Sequence, residues 1–182
     1  MGLDIHYYSN IKEVKKFTGD EDYDDYEIII NEQYYKYQLG SLCEEFIYDK
    51  TNESIEGSFR AGSYSGYNQW RNSLAIMAGY GSSEYVWKNF EKDRRYIKLQ
   101  KINKKDIKMK PFYELIHFSD CEGYIGTETS KKLYQDFVDF EDKAIDFDSS
   151  PGGPTSRWFY ERYKEWKNAF EVASDNGVVC FH

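Results

Sequence analysis

The chain predicts an α+β fold. One compact domain spans residues 1–182, with a small, mostly antiparallel sheet that holds both ends of the sequence and about four or five helices packed on it. Three observations carry this expectation. Leu3, Ile5 and Tyr7 alternate with Asp4, His6 and Tyr8, the period of a strand with one wet face. Residues 178–182, Val-Val-Cys-Phe-His, form a closing run of strand formers. Between the two, apolar residues recur at spacings of three and four, and neither an internal repeat nor a linker divides the chain.

After the opening strand, residues 20–25 form an acidic turn, and Ile28, Ile29 and Ile30 centre a second strand over 26–31. Residues 34–39 read equally as extended structure or a helix start. Leu42, Phe46 and Ile47 suit a short amphipathic helix over 42–48, followed by a polar loop over 51–56. A strand ends at 58–61. Trp70, Leu74 and Met77 then predict a helix over 67–78, closed by Gly79 at the left-handed cap position. Residues 84–103 hold a helix and then a variable excursion, and 98–110, poor in apolar residues, reads as a surface insertion. Pro111 opens a helix carrying Phe112, Leu115 and Ile116, with a loop over 119–126 after it. Leu133, Phe137, Phe140, Ala144 and Phe147 predict one long helix over 128–147, broken by Pro-Gly-Gly-Pro at 151–154. The last helix, 156–174, buries Phe159, Tyr163, Trp166, Phe170 and Ala173, and Asn176-Gly177 stops it.

A formal net charge of −8 argues against general nucleic-acid or membrane binding, because phosphate surfaces repel it. The three cysteines, Cys43, Cys121 and Cys180, are widely spaced and form no CxxC pair, so a zinc ribbon or redox motif is not expected. No apolar run approaches ~18 residues and no signal peptide is visible, which points to a reducing cytoplasm. The start Met1-Gly2 is not a myristoylation signal, since His6 stands where Ser or Thr is required. Eighteen tyrosines suit half-buried positions and binding surfaces, although a biased base composition gives the same richness.

The stretch FRAGSYSGYNQWRNSLAIMAG, residues 59–79, carries the strongest functional signal. Gly62-Ser63-Tyr64-Ser65-Gly66 before a helix is expected to cradle an anion with backbone N–H groups, with Arg60 and Arg71 offsetting its charge. Tyr64, Tyr67 or Tyr124 would stack a base, Asn68 would read its edge, and Ser119, Asp120 and Glu122 would line the opposite wall. The pattern matches neither the P-loop nor the dinucleotide fingerprint, and a plain strand-to-helix turn with core aromatics produces it too. A second constellation, Asp4, His6, His117, Asp120, Glu122 and His182, has the ligand types of a divalent-cation site. Helix caps and turns give the same short acidic loop. Cys121 beside His117, or Cys180 beside His182, has the residue types of a nucleophile and base, but sequence neighbours rarely have that geometry.

Four blocks, MGLDI, FRAGSYSGYNQWRNSLA, PFYELIHFSDCEGYIG and DNGVVCFH, resemble in content and order a group of uncharacterised bacterial and phage proteins. The resemblance covers about half of the chain and implies a prokaryotic or viral cytoplasmic setting, without a mechanism. The leading expectation is a binding protein for a nucleotide-like small molecule, without turnover and without a cofactor; in a phage setting this is a counter-defence protein that sequesters a signalling nucleotide. Two alternatives stand beside it: a metal-dependent phosphoester or nucleotide hydrolase, and an inhibitor or immunity protein with a host protein partner. The sequence sets no oligomeric state.

Overall fold

The computed structural model describes residues 2–16, 28–30, 46–89, 110–118, 121–155 and 158–182. The architecture is α+β. Strand β1 (Gly2–Tyr8) sits inside a four-stranded sheet between β5 (Glu56–Ser63) and β7 (Val178–Phe181), and β6 (Gly123–Gly126) flanks β7 on its other side. All its pairings are antiparallel, so the first and last strands of the chain lie side by side. A second antiparallel sheet, which the sequence did not foretell, orders β2 (Lys12–Lys16), β4 (Phe46–Asp49) and β3 (Ile28–Ile30).

The helices among the described residues are α1 (Tyr64–Ala78), α2 (residues 83–89), α3 (Tyr113–His117), α4 (Thr127–Asp139), α5 (Glu141–Ser149) and α6 (Phe159–Ala173). They cover the face of the sheet that carries Leu3, Ile5, Phe59, Ile125, Val179 and Phe181. The interior is dominated by large rings. Trp166 contacts Trp70 at 5.8 Å and Phe170 at 5.7 Å, and Phe137 meets Tyr163 at 4.7 Å. Two of the buried polar tips find acceptors: the Tyr163 hydroxyl donates to the Phe137 carbonyl at 2.7 Å and Trp70 Nε1 to that of Phe159 at 3.2 Å. Much of the aromatic wealth is therefore core. On the other face a smaller cluster of Tyr8, Ile11, Tyr48, Val178 and Cys180 joins β4 of the second sheet to the first.

Several local expectations are corrected. Residues 46–49 are strand, not part of a helix over 42–48; Phe-Ile-Tyr is a strand-favouring run, and Ile47 pairs with both Ile29 and Lys15. Residues 123–126 are a strand inside the expected 119–126 loop, because Tyr124 and Ile125 pair with Cys180 and Val179. The helix over 128–147 is two helices, with Phe140 (φ −107°, ψ 7°) between α4 and α5. Its ring packs edge-on against Phe112 at 5.5 Å. The Gly177 turn requires glycine: a Cβ there would lie 1.9 Å from the Tyr8 carbonyl oxygen and 2.9 Å from Ala173 Cα. That close passage lets the chain leave α6 and enter β7 directly beside β1. The expected element over 34–39, residues 98–109 of the expected insertion over 98–110, and Cys43 fall outside the described residues. No helix among the described residues is long and apolar enough to cross a membrane.

Candidate functional site

Strand β5 runs into α1 with no intervening loop. Gly62 takes φ 124°, a conformation suited to glycine, and Ser63 caps the helix: its Oγ accepts from the Gly66 N–H at 3.1 Å and shares a hydrogen bond with Ser65 Oγ at 3.1 Å. The glycine-serine stretch is thus a strand end plus a first helical turn, and one of its N–H groups is already satisfied. The helix N-terminus still carries the partial positive charge of its aligned peptide dipoles, and Ser65 is exposed beside it.

Three expected ligand contacts are corrected. Tyr67 is fully buried, stacked on Trp70 and tilted against Trp166, so it belongs to the core and presents no face to a ligand. Arg71 is 4% exposed and its guanidinium is committed. It donates to the Phe118 carbonyl at the end of α3 and to Asn68 Oδ1, and lies over the rings of Tyr67 and Trp87 at 4.9 and 5.1 Å. A cation at a helix C-terminus offsets the negative end of the dipole. Trp87 Nε1 donates to the neighbouring Ile116 carbonyl at 2.8 Å, so two donors from α1 and α2 clasp the end of α3. Asn68 serves the same clasp instead of reading a base. Arg71→Met is expected to lower stability by about 1.5–3 kcal/mol, with Arg71→Lys recovering part of it, as measured by urea unfolding.

Four of the other candidates, Asp4, His6, Arg60 and His182, are neighbours. Asp4 and His182 exchange both backbone hydrogen bonds at 3.0 Å, and the His6 and His182 rings stand edge to face with centroids 5.3 Å apart. Asp4 Oδ1 accepts from Arg60 Nη1 at 3.4 Å, across the register that pairs Asp4 with Arg60. Gly123 pairs with Phe181, so the exposed Glu122 directly precedes the strand position beside the end of β7. The start of β1, the ends of β5 and β7, the start of β6 and the N-terminus of α1 therefore share one rim of the sheet. Burial, then the neighbouring His6, hold the His182 imidazole below its ordinary pKa, with Asp4 opposing. Tyr124 is half-buried on the smaller cluster, and burial raises its phenol. Ser58 stands beside His6 in the register, on the face that strand alternation from Arg60 gives it.

Among the described residues the metal constellation does not assemble. Asp4, His6 and His182 share the outer face, whereas His117 ends α3 and Asp120 falls outside the described residues, as does Ser119. Among the described residues no three His, Cys, Asp or Glu side chains are placed to hold an ion. The cysteine readings weaken too: Cys180 is buried and burial pushes its thiol far up, away from the reactive thiolate. Cys121 is exposed. No known protein family, curated protein or solved structure matches the chain.

Proposed function

We propose that the protein binds a nucleotide-like, phosphate-bearing small molecule at this rim, without turnover. The observation that supports it is the convergence there of Arg60, Tyr64, Ser65, His6, His182 and Glu122 from separate stretches of sequence. Arg60 keeps an exposed guanidinium whose present partner, Asp4, is long and solvent-screened, so a phosphate can compete for it. The first turn of α1 and Ser65 add donors and dipole charge. Tyr64 is half-buried at the helix start and packs against the main core, so only its remaining edge would meet a base, and the exposed Glu122 would accept from sugar hydroxyls. In the phage setting that the sequence blocks suggest, such a binder would sequester a signalling nucleotide.

Calorimetric titration with mononucleotides, dinucleotides and cyclic dinucleotides tests the reading. Binding of at least one, weakened roughly tenfold or more by Arg60→Ala, is expected. Silence across the panel retires the proposal. Chemical conversion of a bound nucleotide would replace it with the hydrolase reading.

A further inference from the structure

Strand β5 is an edge strand of the four-stranded sheet, with no described strand beyond it. In an antiparallel ladder a residue turns its N–H and C=O to the same side, and successive residues turn to opposite sides. Asp4 turns both groups to His182 on β7, whereas the N–H of Ser9 goes to the Ile55 carbonyl at 2.8 Å on the β5 side. Even-numbered residues of β1 thus serve β7 and odd-numbered ones serve β5. Through the register Tyr7 to Gly57 and Ile5 to Phe59, Gly57 and Phe59 turn inward to β1. Glu56, Ser58 and Arg60 turn outward, and none of their N–H or C=O groups is paired with another described strand or loop. Their side chains are exposed as well.

Open edges are ordinarily blunted by proline, by a row of like charges or by a covering segment. Glu-Gly-Ser-Phe-Arg, residues 56–60, has neither proline nor like charges; its charges are of opposite sign and equidistant from Ser58. Turned end for end, the strand matches itself. We propose that the occupant of this edge is a second copy of the chain, paired antiparallel through β5 with Ser58 on the two-fold axis. That register sets Glu56 opposite Arg60 of the second copy, twice, with the exposed intrachain pairs Lys50–Glu56 (2.7 Å) and Arg60–Asp4 (3.4 Å) alongside, and uses all three outward N–H and all three outward C=O groups of each strand. Shifting it by two residues in either direction loses both charge pairs. Between the hydrogen-bonded pairs, Phe59 stands opposite Gly57 of the second copy at the closer, non-bonded spacing. The two four-stranded sheets become one continuous sheet, and an isologous contact of this kind closes without propagating.

Sedimentation equilibrium from about 1 μM to 1 mM reads the association directly, with no ligand needed. A concentration-dependent dimer is expected. Ser58→Pro should abolish it with an unchanged circular dichroism spectrum, because the lost N–H faces outward and edge strands tolerate proline. Glu56→Arg and Arg60→Glu should each weaken the dimer roughly tenfold or more by setting like charges opposite one another, and the double exchange should restore it. If Ser58→Pro misfolds, the three charge variants decide alone. A chain monomeric throughout, a dimer indifferent to these changes, or a double exchange that restores nothing overturns the proposal.

Discussion

Lys132→Met is expected to destabilise the protein by about 3–5 kcal/mol, because it strands two carboxylates that have been taken out of water. Lys132 Nζ lies 2.6 Å from Glu114 Oε2, 2.8 Å from Asp136 Oδ2 and 2.6 Å from the Lys110 carbonyl oxygen. The three side chains are only 10–14% exposed. Asp136 also accepts from the Phe112 N–H at 2.7 Å, at a residue whose backbone is left-handed (φ 56°), and the Tyr80 hydroxyl donates to the Pro111 carbonyl at 3.0 Å. The ammonium therefore ties the turn before α3 to the middle of α4. Burial pushes the Asp136 carboxyl from 3.8 up to about 6, with Lys132 and the Phe112 N–H pulling the other way.

The sign of the pH dependence follows from that direction. A folded-state pKa above the unfolded one means that the native protein holds the proton more tightly. The stability this group contributes is complete below about 3.8 and lost as pH rises through about 6. The Lys132→Met deficit should accordingly be larger at about pH 8 than at about pH 5, where protonation removes one of the stranded charges. Urea unfolding at both pH values measures it. A deficit below about 1 kcal/mol at neutral pH would show that water or another cation reaches the carboxylates.

The sequence made legible what depends on simple periodicity. Leu3, Ile5 and Tyr7 do line one face of β1, Val178 to Phe181 do pair with it, and Phe159 through Ala173 form the last helix in the expected phase. Gly79 does cap α1 with φ 96°. Breaks that preserve the phase were invisible. The chain bends at Phe140 while Phe137, Ala144 and Phe147 keep facing the core, so counting by three and four gives one helix where there are two. Strands shorter than a full alternation were invisible too, as Gly-Tyr-Ile-Gly in β6 and Phe-Ile-Tyr-Asp in β4 show. At the site, residue type suggested Arg71 and Tyr67 as ligand contacts, but a side chain's commitments are tertiary. The Phe118 carbonyl that holds Arg71 is 47 residues away. Arg60, one strand position from Phe59, stayed on the wet face because alternation put it there.

Trp166→Ala should produce a loss of comparable size, about 3–5 kcal/mol, since the indole is the point at which three layers meet. It is fully buried on α6. Phe59 of β5 approaches it edge-on at 5.0 Å, Phe181 of β7 lies at 5.5 Å, and Tyr67 and Trp70 of α1 lie at 5.7 and 5.8 Å. Truncation removes the shared partner of these rings at once, and aromatics that stack on one another cannot collapse into the hole without leaving their own contacts. Tyr85→Ala, at a residue 54% exposed, is the control and should stay within about 0.5 kcal/mol. Circular dichroism during urea unfolding reads both variants. The loss should also reach the rim, because Phe59 and Phe181 are the immediate neighbours of Arg60 and His182. Amide exchange across β5 and the end of β7 should accelerate in folded Trp166→Ala protein more than exchange in α5, whose one fully buried residue is Ala144. Equal acceleration in both places would mean that the indole stabilises the domain as a whole, without bracing the strands that carry the site.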